Sequence, residues 1–69
     1  MNESITTTLA ENVLKARKAL GWSQVLLAAR SGLGRNTIAR MEDPDADKTV
    51  LHVQMVANAL GTTAWKLLK

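Results

Sequence analysis

The sequence predicts an all-α domain, a compact five-helix bundle. Three observations point there. Apolar residues recur three and four apart along most of the chain, the period of a helix with one buried face. Each such run stops at Gly21, Gly32, Pro44 or Gly61, residues that end helices. A serine or threonine precedes most of the runs, where a hydroxyl can accept from unpaired N-terminal amides.

Residues 1–7 are polar and aperiodic and are expected to form a flexible N-terminal arm, leaving 8–69 as the folded domain. Thr8 and Glu11 match a capping box for the first helix. Leu9, Val13, Ala16 and Leu20 share one face of it, with Ala10 and Leu14 beside them, and Gly21 stops it. Arg17 lies beside that stripe rather than opposite it, which calls for an acidic partner.

Ser23 is the expected cap of a second helix, with Trp22 packing before it. This helix runs from Gln24 to Arg30, burying Leu27 and Ala28 fully and Val25 in part. Ala28 is small enough for a close helix crossing. Ser31 and Gly32 end the helix, and the chain needs positive φ at Gly32.

A third helix runs from near Gly34 to about Asp43, where Pro44 stops it. Leu33, Ile38 and Met41 point inward; Arg35, Asn36, Ala39 and Arg40 point outward. Residues 43–48 form a loop. Thr49 caps a fourth helix from Val50 to Leu60. Leu51 to Met55 alternates like a strand, but Val53, Val56, Ala57 and Leu60 keep helical spacing, and helix is the reading adopted. Thr62 or Thr63 caps a short fifth helix carrying Trp65, Leu67 and Leu68.

Sixty-nine residues make one domain at most. There is no cysteine, so neither a disulfide nor a thiolate metal site is available. At 46% hydrophobic the composition is globular rather than disordered. No apolar run approaches the ~20 residues of a membrane span, and no signal peptide is visible, so a cytoplasmic location is expected. An enzyme is not expected: His52 is the one histidine and reads as a helix-surface residue, and the carboxylates gather in the acidic loop. Gly32-Leu33-Gly34 lacks the preceding strand and third glycine of a dinucleotide fingerprint. No cofactor or metal is implied.

Charge is uneven. Between Leu9 and Met41 six basic residues face one acid, Glu11, while Glu42, Asp43, Asp45 and Asp47 crowd one short stretch. A basic half favours a polyanionic partner, though a solvated basic surface has the same composition. Two short helices joined at a glycine, the second with a polar and basic outer face, form a unit that can enter a DNA major groove. Arginine donates two parallel bonds to guanine, and asparagine pairs with adenine. Arg35 or Arg40 on guanine and Asn36 on adenine are the natural assignments, with Ala39 able to meet a thymine methyl; phosphate contact alone is the alternative for each arginine. Gln24, at a helix start, suits phosphate better than a base. Arg30 can approach the backbone. Lys15 and Lys18 read as solvated surface charges.

The same residues resemble the helix-turn-helix domains of the phage repressor and Cro type (lambda repressor-like, XRE family). The likeness runs from about Leu9 to Leu68: Gln24, Leu27, Ala28, Gly32, Ile38, Met41 and Glu42 fall in register, flanked by Leu20 to Gln24 before and by Ala59-Leu60-Gly61, Trp65, Leu67 and Leu68 after. The resemblance implies a five-helix domain that binds double-stranded DNA. It implies base reading by Gly34, Arg35, Asn36 and Arg40, backbone contact by Gln24 and Thr37, and an ion pair between Arg17 and Glu42. Three positions depart from the pattern. Ser31 replaces an apolar residue and Gly34 replaces a capping hydroxyl. The loop after the third helix is acidic, with Lys48 its one cation toward phosphate.

One such unit reads about half a turn of DNA, so a homodimer on a near-palindromic operator is expected. Trp65 and Leu68 are the candidate dimer surface; completing the core is the other reading of Trp65. Two rivals stand beside the transcriptional regulator. A protein-interaction module, such as an antitoxin holding a toxin, would use the acidic loop. Some Cro proteins replace the last helices with a β-hairpin.

Overall fold

The computed structural model describes residues 5–69. It contains α1 (Ile5–Ala19), α2 (Gln24–Ser31), α3 (Arg35–Met41), α4 (Val50–Leu60) and α5 (Ala64–Leu67). Among the described residues there is no strand. The stretch from Leu51 to Met55 is helical, so the β-hairpin alternative is excluded.

The core is aliphatic. Leu9 and Val13 of α1, Leu27 and Ala28 of α2, Ile38 and Met41 of α3, Val53, Val56 and Ala57 of α4, and Leu67 of α5 form one buried cluster. Trp22, Leu33, Ala59, Leu60 and Ala64 pack partly buried against it. α2 lies on α3 and α4, while α1 closes over α3, α4 and α5. Asn12 Nδ2 donates to the Leu67 carbonyl at 2.7 Å, fastening α1 to α5.

Local chemistry sets most of the boundaries. Ser23 Oγ accepts from Leu26 N at 3.0 Å, and Thr49 Oγ1 accepts from His52 N at 3.2 Å, each satisfying an amide the helix leaves open. Gly32 has φ of 81°, a region that costs other L-residues energy. Its N–H and that of Leu33 both donate to the Ala28 carbonyl, turning the chain sharply out of α2.

Several expectations are corrected. α1 starts at Ile5, so Thr8 lies inside the helix and is not its cap. Ile5 is one helical step before Leu9, which continues the same face outward. Residues 1–4 of the expected arm lie outside the described residues. α1 ends at Ala19, and Leu20, whose N–H still donates to the Ala16 carbonyl, is 47% exposed rather than buried. Val25 is 61% exposed, because only the Leu27–Ala28 side of α2 meets neighbours. α2 extends one residue further than expected, and α3 stops at Met41, two residues early. Trp65 is 58% exposed, with the Lys69 ammonium 4.1 Å from its ring centroid, so Leu67 and not Trp65 supplies the fifth helix's core contact.

Candidate nucleic-acid interface

α3 is seven residues long and divides cleanly. Ile38 and Met41 are buried, while Arg35, Asn36 and Arg40 are exposed. Asn36 and Arg40 stand four apart on the outer face. Ala39 and Thr37 are half-buried on its flanks. Gly34 occupies the N-cap in extended geometry with no side-chain bond, and nothing lies within 4 Å of where a Cβ would stand. The preceding turn is knit by Ser31, whose hydroxyl donates to the Ala28 carbonyl at 3.2 Å and accepts from Leu33 N at 3.3 Å.

The far end of α3 is held by charge. Arg17 donates from Nε to Glu42 Oε2 at 2.6 Å and from Nη2 to Oε1 at 3.0 Å. Its Nη1 donates to the Trp22 carbonyl at 2.8 Å, so one guanidinium ties together α1, the turn before α2 and the end of α3. The two side chains are 11% and 6% exposed. The hydrogen bond that Arg17 donates to Glu42 raises the guanidinium above its ordinary range, against the lowering effect of burial.

The expected backbone contacts are differently placed. Gln24 Nε2 donates to Glu42 Oε1 at 3.0 Å, so this side chain belongs to the Arg17–Glu42 cluster as well as to the start of α2. The Arg30 guanidinium sits 5.2 Å from the Trp22 ring centroid, a cation–π distance. Lys48 Nζ donates to the Asp43 carbonyl at 2.6 Å and the Ala46 carbonyl at 2.8 Å, folding the loop around its ammonium. Burial lowers Lys48 below the usual lysine range; Asp43, Asp47 and Asp45 act the other way, and Arg40 adds to the lowering. Thr37 and Arg40 line one side of a cleft whose other side is Lys48, Thr49 and His52. His52, which reads in the sequence as a helix-surface residue, is half-buried in this cleft.

Asn12 was missed as a tie between helices. Its signal was weak: an amide between Leu9 and Val13, at the border of the apolar stripe. Among the described residues no group of three or more His, Cys, Asp or Glu side chains could hold a metal ion, and no helix is long and apolar enough to cross a membrane.

This geometry is that of a helix-turn-helix unit: α2 braced against α3, a glycine corner between them, and a polar outer face on the second helix. A family model described as Helix-turn-helix matches residues 13–65. The chain belongs to this helix-turn-helix family, of the XRE type, whose members are non-enzymatic DNA-binding transcriptional regulators. Among solved structures, a hypothetical transcription factor NHTF from Neisseria is 31% identical with a TM-score of 0.89, the match covering 100% of this chain and 80% of that one. A point mutant of the restriction-modification controller protein C.Esp1396I is similar in fold, with a TM-score of 0.83 at 21% identity over 99% of this chain and 90% of that one. Comparison with curated protein sequences returns no match.

Proposed function

We propose that the chain is a sequence-specific transcriptional regulator of the phage Cro or repressor type, acting in a bacterial cytoplasm by occupying a near-palindromic operator as a homodimer. One observation carries the reading: α3 buries Ile38 and Met41 while leaving Arg35, Asn36 and Arg40 exposed. In this reading Arg35, Asn36 and Arg40 meet base edges, with Gly34 and Ala39 close to the groove. Gln24, Thr37, Arg30 and Lys48 meet the backbone. The similarity to a Neisseria protein described as a transcription factor supports the regulatory role.

The dimer is supported by apolar surface. Ile5, Val50 and Leu68 line one groove, together with Ala64, and are 64%, 75% and 39% exposed. Trp65, next to Ala64 in α5, is exposed as well. Water-facing apolar area of this kind is removed when two copies associate.

Selection of bound duplexes from random DNA tests the proposal. The expected product is a pair of inverted half-sites with centres about one helical turn apart. A pool that shows no sequence enrichment refutes the DNA-reading role and favours the protein-interaction alternative through the acidic loop. Sedimentation of Trp65→Ala against wild type on the selected duplex tests the dimer. Weaker dimerisation is expected, and unchanged association refutes that surface.

A further inference from the structure

The apolar groove offered above to a second copy joins two segments of opposite charge. Its lining is almost wholly apolar, with Ile5 and Val50 among it, but it includes Lys48 from the acidic loop and Ala64 and Leu68 from the α5 side. The loop carries Asp43, Asp45 and Asp47, all exposed. The α5 side carries Lys66 and Lys69, exposed as well.

Neither set of charges is used within the chain. Among the described residues Arg17 and Glu42 form the one ion pair. The Lys48 ammonium is taken up by the Asp43 and Ala46 carbonyls rather than by a carboxylate. Lys69 lies over the Trp65 ring at 4.1 Å, which holds its ammonium against the exposed side of α5. The DNA reading has no use for the acids either, since carboxylates near the proposed backbone contacts repel phosphate.

We propose that the second copy docks on this groove with its α5 lysines against the acidic loop, so that Lys66 and Lys69 of each copy face Asp45 and Asp47 of the other. The inference rests on the dimer reading above. It adds what sets the register of the two copies and what the acidic loop is for.

Symmetry makes the patch its own complement. In a closed two-fold dimer the same surface meets itself and every contact occurs twice. A patch that holds both signs can then satisfy both at once, the loop of one copy lying on α5 of the other. Any register that set α5 on α5, or loop on loop, would oppose like charges. Exposed ion pairs hold little by themselves. The apolar groove therefore supplies the attraction, and the charges select the arrangement. Screening acts on these charges within about 10 Å at 0.1 M salt, so dimerisation weakens as salt rises.

A pair of full-chain variants tests this: Lys66→Glu with Lys69→Glu, and Asp45→Lys with Asp47→Lys. Alone, each variant sets like charge against like at both copies of the contact. Mixed, the two set opposite charges together again at both. Sedimentation equilibrium at low salt, free and on the duplex from the selection experiment, reads the association. Each variant alone is expected to dimerise at least about tenfold more weakly than wild type. The equimolar mixture should regain most of the wild-type association. Circular dichroism melts establish that folded domains are being compared. Weakening that mixing does not relieve overturns the inference, as does wild-type association by each variant alone; the dimer reading survives both results. A wild type found as a single copy both free and on its duplex overturns the inference and the dimer reading together.

Discussion

Arg17 and Glu42, twenty-five residues apart, meet in a two-pronged ion pair of 2.6 and 3.0 Å that joins the first helix to the end of the third. Both side chains are nearly covered. Partners removed from water together are costly to separate, because the survivor keeps its charge without its counterion.

Arg17→Met should therefore destabilise the domain by about 3–5 kcal/mol. For a domain of this size each kcal/mol moves the melting temperature by about 4–8 °C, so a thermal melt reads the change directly. Joining it to Glu42→Leu should restore most of the loss, since two apolar side chains then pack where a lone carboxylate stood. A single variant that melts with wild type would show the pair to be dispensable.

The two glycines flanking Leu33 should behave oppositely. Gly32→Ala forces a side chain into positive φ and should cost about 1–2 kcal/mol, although the added methyl would meet only Met55 Cε at an ordinary 3.8 Å. Gly34→Ser places a hydroxyl at an N-cap of ordinary geometry with open space around it. It should add a few tenths of a kcal/mol. Denaturant midpoints measured side by side distinguish the two; equal losses would mean that backbone conformation is not what selects glycine at residue 32.

On DNA, Arg40→Ala should reduce discrimination against the wrong base by about 1–3 kcal/mol. Lys48→Gln should weaken all sequences alike and reduce the salt dependence of binding by about one phosphate's worth. Competition titrations over a salt series separate these outcomes. If Arg40→Ala lowers every affinity equally, Arg40 meets phosphate only.

Lys48 also predicts a pH effect on stability. Burial lowers its proton affinity in the folded chain, whereas the unfolded chain keeps the ordinary lysine value near about 10.4. Just below that pH the unfolded chain binds the proton more fully, so stability rises with pH there. Between about pH 9 and about pH 10.5, wild type should gain on Lys48→Gln in denaturant melts. A flat difference would remove burial as the controlling effect at this ammonium.

The elements most legible in the sequence were those whose causes are local. Ser23, Thr49, Gly32 and Gly61 set boundaries through neighbours a few residues away, and all act there in the structure. The inward positions of α3 and α4 followed from period alone. Leu20 keeps the helical bond to Ala16 yet is exposed, since period does not say how much of a face its neighbours cover, and Thr8 failed because a plausible cap lost to a longer apolar face reaching Ile5. Contacts between distant segments were less accessible. Nothing near Asn12 names the Leu67 carbonyl, fifty-five residues away. The assignment of Glu42 to Arg17 came from family resemblance, since no spacing rule joins them. Gln24 read as a residue for phosphate; its bond to Glu42 depends on how α2 and α3 cross. The cleft at His52 depends on the loop folding around Lys48, which composition could not specify.

The third helix is clamped by charge at one end and begins without a side-chain cap at the other. Glu42, just past its last turn, is gripped by Arg17 and Gln24, while Gly34 begins it with no side-chain tether. Arg35 and Asn36, exposed in its first turn, take no part in the buried core, so exchanging them should change the proposed contact surface while leaving the packing of Ile38 and Met41 in place. The arrangement is a replaceable key on a permanent handle, and lineages could re-cut it one residue at a time.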